Sequence, residues 1–397
     1  MTIKPIIQEK LTQAVGLLNE QNIDCWITFV RETSQVHDPV LDLILGFGLT
    51  WDSALIVTRG GSKIAIAGRF DAQSIRDMEA YDEVIAYDQG IADVLKARIT
   101  QLDPSTIALN YSLSDSSADG LTFGMYAKLT QLLAGTPYAS NFVSAEGIVR
   151  RLRERKTITE LNRVKTVIGI TEQVYAELFT SPLRGQSEVQ IHALCGELAA
   201  QHGCGFSWDR INNPIVNAGP DSSVGHGIPG PLTVEAGQLL HIDMGLRLDG
   251  YSSDLQRVAY VPRDGETAIP EPISRAWQAC WAALEAGRAA LKPGVQAFQV
   301  DAAARGELVR QGYPEYMHAF GHHVGQNAHD GGSVLGPRWE RYGDMPNKEI
   351  DANSIFAIEL GTMVDGFGYV GIEENVVITA AGAEYLSTPQ YELILLP

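Results

Sequence analysis

The chain reads as an α+β protein of two domains: a small α/β unit over residues 1–150 and a larger unit of paired helices and hairpin strands over 151–397. Three observations predict this. The 397 residues exceed what one hydrophobic core usually carries. The first 150 alternate short β-rich apolar runs with helical periods. The remainder holds two helix–glycine–helix–glycine units, each followed by strands.

In order along the chain, residues 6–22 carry a helical period and 25–30 a strand run. Residues 53–57 and 63–67 read as a strand pair bridged by Arg59-Gly60-Gly61. Helices are expected over 71–79 and 91–100, and a strand over 106–110. The basic run Arg150-Arg151-Leu152-Arg153-Glu154-Arg155-Lys156 reads as a solvated joint between domains. Thr157 and Glu160 have capping-box spacing and open a helix reaching about Phe179. A loop ending at Gly185 leads to a helix over 187–202 that stops at Gly203. A second helix over 272–291, then Gly294, then a helix over 297–311 stopping at Gly312 repeats the unit; both glycine pairs are offset by 109 residues (294 − 185 and 312 − 203).

Composition excludes several classes. With 48 acidic against 30 basic residues the formal charge is −18, so phosphate backbones and anionic lipid are repelled and neither nucleic acid nor membrane is expected as a partner. No apolar run approaches the roughly 20 residues that span a bilayer. The opening segment is amphipathic and mixed in charge, without the order of a secretory signal. Cys25, Cys195, Cys204 and Cys280 form no CxxC pair and read as reduced, buried thiols of a cytoplasmic chain.

The chemistry concentrates in the second unit. Asp243 and Asp254 straddle Asp249-Gly250, a strong hairpin signal, and folding about that turn sets them opposite each other on one face. Glu359 and Glu373 straddle Asp365-Gly366 in the same way. Facing carboxylates on apolar strands are costly, and divalent cations would remove that cost. Between the hairpins, HAFGHHVGQNAHD holds His318, His322, His323 and His329, four of the nine histidines. With four carboxylates this suggests an oxygen-rich metal site with at least one imidazole. His226, in a Gly/Pro-rich loop, is a candidate substrate-facing acid or hydrogen-bond donor.

The order Asp243, Asp254 eleven residues on, G-H-x-x-G, Glu359 and Glu373 resembles the pita-bread metallopeptidases, which include methionine aminopeptidase, aminopeptidase P and prolidase. The resemblance covers Arg153 to Pro397, while the first 150 residues resemble the creatinase/prolidase N-terminal domain. It implies a strongly curved antiparallel sheet with two layers of helices in the catalytic domain. Asp243, Asp254, His322, Glu359 and Glu373 would bind two divalent ions, with Asp254 and Glu373 bridging them. Carboxylate-rich ligation suits manganese, and cobalt, zinc or iron could substitute. His226 and His329 would face the scissile carbonyl, and Glu359 would handle the proton of a hydroxide shared by the ions. H-x-x-G-H-x-x-G-x-x-x-H-D, from His318 to Asp330, looks like the Xaa-Pro branch and makes His318 a substrate-side residue. The implied activity is hydrolysis of Xaa-Pro dipeptides by a homodimeric enzyme acting on short proline-containing peptides. The rivals are an Xaa-Pro aminopeptidase, a non-peptidase hydrolase or lyase of a small metabolite on the same fold, and a non-catalytic interaction module. Three positions depart from the family pattern: Leu360 replaces a proline, Gln256 a threonine, and Gly371 an arginine.

Overall fold

The computed structural model describes residues 3–396. They divide into two compact units, Met1–Thr159 and Glu160–Pro397.

The first unit is built on a mixed sheet. Its strands are β1 (Cys25–Val30), β2 (Ser53–Thr58), β3 (Lys63–Gly68), β4 (Glu83–Tyr87), β5 (Ile107–Leu109) and β6 (Phe142–Ser144), ordered β4-β3-β2-β1-β5-β6. The run Cys25–Val30 is apolar at nearly every position because β1 is buried on both faces. Trp26 and Val30 join the core formed with α1 (Lys4–Gln21) and α2 (Leu41–Ile44). Ile27 and Phe29 point the other way, among side chains of α4 (Ala92–Leu102) and α5 (Phe123–Leu132). Between β3 and β4 runs α3 (Arg69–Asp77).

The basic run is not a solvated joint. It forms α6 (Glu146–Glu154), whose Ile148, Val149 and Leu152 enter the first unit's core. Arg150, Arg153 and Lys156 are buried with it. Their charges are met from within: Arg150 pairs with Glu154, which is fully buried, and the Lys156 ammonium donates to the Arg153 carbonyl. Apolar residues at helical spacing outweigh the charge count, which explains why the unit closes after Thr159 and not at residue 150.

The second unit repeats itself. Helices α7 (Ile158–Phe179) and α8 (Glu188–Gln201) correspond to α9 (Glu271–Ala290) and α10 (Ala297–Arg310). Ser187 with Gln190, and Gln296 with Gln299, form matching capping boxes. Gly185, Gly203, Gly294 and Gly312 all take positive φ where each helix or loop must reverse. Three short strands, β7 (Gly205–Phe206), β10 (Leu246–Leu248) and β11 (Tyr251–Ser252), form a small sheet.

The main sheet contains β8 (Ile215–Ala218), β9 (Leu239–Met244), β12 (Leu255–Tyr260), β13 (Gly321–His323), β14 (Ile355–Val364) and β15 (Gly368–Thr379). β16 (Gly382–Tyr385) lies beside β15, and β17 (Ile394–Leu395) beside β12. The order β13-β14-β15-β12-β9-β8 is mirrored about the β15–β12 junction, one half supplied by each repeat. Phe356, Ile358, Leu360, Val370 and Ile372 pack on one face against Trp277, Cys280 and Leu284 of α9. The alternate residues of β14 and β15 face the other way, and these include Glu359 and Glu373. All four cysteines are free and buried. No helix of the described residues is long and apolar enough to cross a membrane.

Candidate metal centre and active site

Glu359 and Glu373 are direct partners in the β14–β15 register, as their positions about Asp365-Gly366 predict. The other pair differs: Asp243 opposes Gln256, not Asp254. Asp249 and Gly250 both take positive φ, 50° and 82°, and close the turn in two residues, pairing Leu248 with Tyr251. That register carries through to β9 and β12 and displaces the expected pairing by two residues. A slip of two preserves the face, so Asp254 still reaches the site. It sits just before β12, its backbone N–H donating to Asn375 Oδ1 and its carbonyl accepting from Asn375 Nδ2 (3.2 and 2.8 Å).

Gln256 also pairs with Glu373 across β12 and β15. Asp243, Gln256, Glu373 and Glu359 therefore form one row across four adjacent strands, three carboxyls with an amide among them. The ligating atoms of Asp254, His322 and Glu373 lie within 4.8 Å of one another. His322 Nε2 stands 3.7 Å from Asp254 Oδ2 and 3.8 Å from Glu373 Oε1.

These groups fit divalent cations. Asp243 Oδ1, Asp254 Oδ1 and Glu373 Oε2 are buried without a hydrogen-bond partner among the described residues, an expensive state for acceptors unless a cation completes them. Burial pushes the carboxyls of Asp243, Asp254 and Glu373 well above the usual range, and neighbouring carboxylates push further. Glu359 is raised by burial to about 7, with hydrogen bonds from Gln256 and Tyr316 opposing the rise. His322 is driven well down by burial and by nearby His329, which keeps it neutral. Its Nδ1 lies 3.1 Å from the Ala328 carbonyl; donating there leaves the Nε2 lone pair facing the carboxylates. One imidazole with four carboxyls is the donor set of a hard or borderline divalent ion.

Two adjoining cavities open on this centre. The larger, about 460 Å³, is lined by all five candidate ligands, by His226 and by His329. Trp208, Asp209 and Asn327 form part of its wall. The smaller, about 70 Å³, is bordered by Asp243 and Glu359 and by His226, His318, Tyr316 and Tyr369. Asp243, Asp254, His322, Glu359, Glu373, His226, His318 and His329 thus each border one or both cavities, whereas His323 borders neither and meets Ser333 Oγ at 2.9 Å. His329 stacks edge-on against His322 with ring centroids 4.3 Å apart. Burial lowers the pKa of both His318 and His329, so both rings are neutral at pH 7.

Several residues escaped the sequence reading. His241 and Tyr369 lie at even spacing from Asp243 and Glu373, so strand alternation alone could have found them. Tyr316 and Asn217 carry no comparable signal. The tyrosine hydroxyl donates to Glu359 Oε2 (3.3 Å), and Asn217 Oδ1 lies 2.9 Å from His241 Nδ1. His241 Nε2 in turn faces Gln256 Oε1 at 2.8 Å. Burial pushes the pKa of His241 down to about 4, and a neutral ring donates only one of these two bonds.

The sequence pattern of metallopeptidase family M24 matches residues 162–380, more than half of the chain, and the chain belongs to that family. Enzymes of this family work with two metal ions, and Asp254, His322 and Glu373 form a cluster here that could hold a metal ion. The chain is 28% identical to an Xaa-Pro dipeptidase of Pyrococcus furiosus over 256 residues, covering 64% of this chain and 68% of that one. Its fold is that of an Xaa-Pro dipeptidase from Bacillus anthracis, with a TM-score of 0.76 at 21% identity, covering 98% of this chain and 100% of that one. An X-Pro aminopeptidase from Thermotoga maritima superposes at 0.71 with 23% identity, over 98% and 99% of the two chains. The second unit is the pita-bread fold, with its antiparallel sheet curled around the site.

Proposed function

We propose that this prolidase-like peptidase hydrolyses the imide bond of Xaa-Pro dipeptides. The observation that carries the reading is the row of Asp243, Glu373 and Glu359 beside Asp254 and His322, in a cavity also walled by His226 and His329. These five side chains would hold two divalent ions, which would supply Lewis acidity for polarising a carbonyl and lowering the pKa of water. Manganese suits the oxygen-rich set.

The chain's own groups do the rest. Glu359 accepts the proton that the attacking water gives up, and its raised pKa suits it to pass that proton on. His226 and His329, on the wall of the larger cavity, donate to the oxyanion and to the departing nitrogen. Tyr316 and His318 border the smaller cavity, which is sized for a compact group such as a proline ring. The protein is further proposed to act in the cytoplasm as a homodimer.

A second reading, Xaa-Pro aminopeptidase, is favoured by one feature: no lysine or arginine among the described residues lines either cavity, so no side chain of fixed positive charge there pairs with a free C-terminal carboxylate. The test is turnover of Xaa-Pro dipeptides and Xaa-Pro tripeptides by manganese-loaded protein, beside an Asp254→Asn, Glu373→Gln double variant. Dipeptide turnover that vanishes in the variant supports the dipeptidase. Turnover of tripeptides alone supports the aminopeptidase. Two bound ions with neither substrate cleaved would sink both and redirect the search to small metabolites.

A further inference from the structure

Gln256 occupies the one position in the carboxyl row that is not acidic. Its Nε2 donates to Glu359 Oε2 at 3.0 Å, and the Tyr316 hydroxyl donates to that same oxygen. Glu359 Oε1 takes no hydrogen bond from the described residues. The terminal torsion of a glutamate is soft, and two donors on one oxygen stop it turning. Gln256 is itself confined: it is buried, with its Oε1 against His241, whose far side meets Asn217. Asn217 is anchored by donating to the Ser223 carbonyl at 2.8 Å.

The neighbouring strand makes room for this assembly. Gly371 lies two residues before Glu373, on the same face of β15. A Cβ built there would stand 2.4 Å from Gln256 Oε1, 2.6 Å from His241 Nε2 and 2.7 Å from Tyr369 Cε1. Any side chain at 371 must therefore displace the glutamine or the histidine. Long Gln256 and bare Gly371 are two halves of one steric arrangement.

We propose that Gln256 is a positioning residue for Glu359, held against His241, and that Gly371 serves to leave it space. The inference rests on Glu359 being a metal ligand and proton acceptor. Groups of this kind typically account for 10- to 100-fold in metal affinity or activity.

The experiment is calorimetric titration with Mn²⁺ of metal-free wild type, Gln256→Met, Gly371→Ala, Gln256→Ser and the Gln256→Ser, Gly371→Ala double variant, with kcat and KM measured on the loaded proteins. Gln256→Met keeps the volume and removes the donor. It should weaken one of the two Mn²⁺ sites roughly 10- to 100-fold and lower kcat similarly, with KM within about twofold of wild type. Gly371→Ala should do the same by pushing Gln256 aside. In the Gln256→Ser background the alanine no longer pushes a glutamine aside and meets only His241 and Tyr369, so Gly371→Ala should cost clearly less Mn²⁺ affinity there than in the wild-type background. Wild-type Mn²⁺ affinity in Gln256→Met overturns the proposal, as does an equal cost of Gly371→Ala in both backgrounds. Should Gln256→Met fail to fold, Gly371→Ala and the two serine-background proteins decide the matter. A wild type that binds two Mn²⁺ without cleaving Xaa-Pro peptides overturns the function proposed above, and the titrations still test Gln256.

Discussion

His322 and Ala328 are joined by a 3.1 Å contact from the ring Nδ1 to the backbone carbonyl, and that contact decides what the other ring nitrogen can do. With its hydrogen committed to the carbonyl, the ring offers Nε2 as a lone pair, 3.7 and 3.8 Å from carboxylate oxygens of Asp254 and Glu373. The three groups thereby form a cluster that could hold a divalent ion.

Its first consequence concerns pH. Without metal, the carboxyls of Asp243, Asp254, Glu359 and Glu373 all have folded pKa values above their unfolded ones. Such groups bind protons better when folded, so their contribution is complete below an unfolded value near 4 and is lost as pH climbs through the folded value, about 7 for Glu359. The Tm of chelated protein should therefore fall between about pH 5 and about pH 8. The gain in Tm on adding Mn²⁺ should grow over the same interval. Calorimetric scans with chelator and with metal check both trends; a metal-free Tm that rises with pH would contradict the arrangement.

Asp254→Asn should separate stability from function. It removes one charge from a crowd of buried carboxyls that lack partners. Metal affinity should drop by about 100-fold or more, while the metal-free variant at about pH 8 should gain on the order of 1 kcal/mol, or ~2–4 °C in Tm. A variant that is destabilised in the absence of metal would mean that Asp254 has a structural partner.

The wall histidines should behave differently from the ligands. His226→Ala and His329→Ala should each lower kcat by about 10²-fold, with Mn²⁺ stoichiometry unchanged. Loss of a metal ion in either variant, measured by elemental analysis, would make that histidine a ligand instead.

The lack of lysine and arginine among the described residues that line both cavities predicts weak discrimination at the substrate's C-terminal end. Ala-Pro and its C-terminal amide should differ by less than about tenfold in kcat/KM, because no cation gains or loses a partner between them. A preference for the free acid approaching 10³-fold would require a positive group that the cavities lack.

Much of this was legible from residue order. The hairpin of Glu359 and Glu373, the glycine-marked helix pairs and the clustering of the histidines follow from spacing alone. What local signals could not settle was loop length behind the same dipeptide. Asp249-Gly250 closes a two-residue turn because both residues take positive φ. At Asp365-Gly366 only the glycine does, and Phe367 joins the loop before pairing resumes at Gly368. The dipeptide signals a hairpin in both cases, while register depends on which conformers the surrounding sheet admits. The basic run misled for a related reason: charge counts ignore where a helix turns its faces, and Ile148 and Leu152 carry Arg150 and Arg153 inward. Gln256 was visible as an oddity of sequence, but its bond to Glu359 depends on a register that no local pattern specifies.

The mirrored sheet distributes the site along the chain. Asp243 and Asp254 come from one half, and His322, Glu359 and Glu373 from the other. A chain cut short before Ile355 would own two aspartates and a histidine but neither glutamate, and could grip a divalent ion only feebly. If these side chains hold the proposed ions, tight uptake would need Glu359 and Glu373 and so would have to await the second half of the sheet. Were the proposed ions bound, metal loading would therefore report that both halves of the sheet are present and paired.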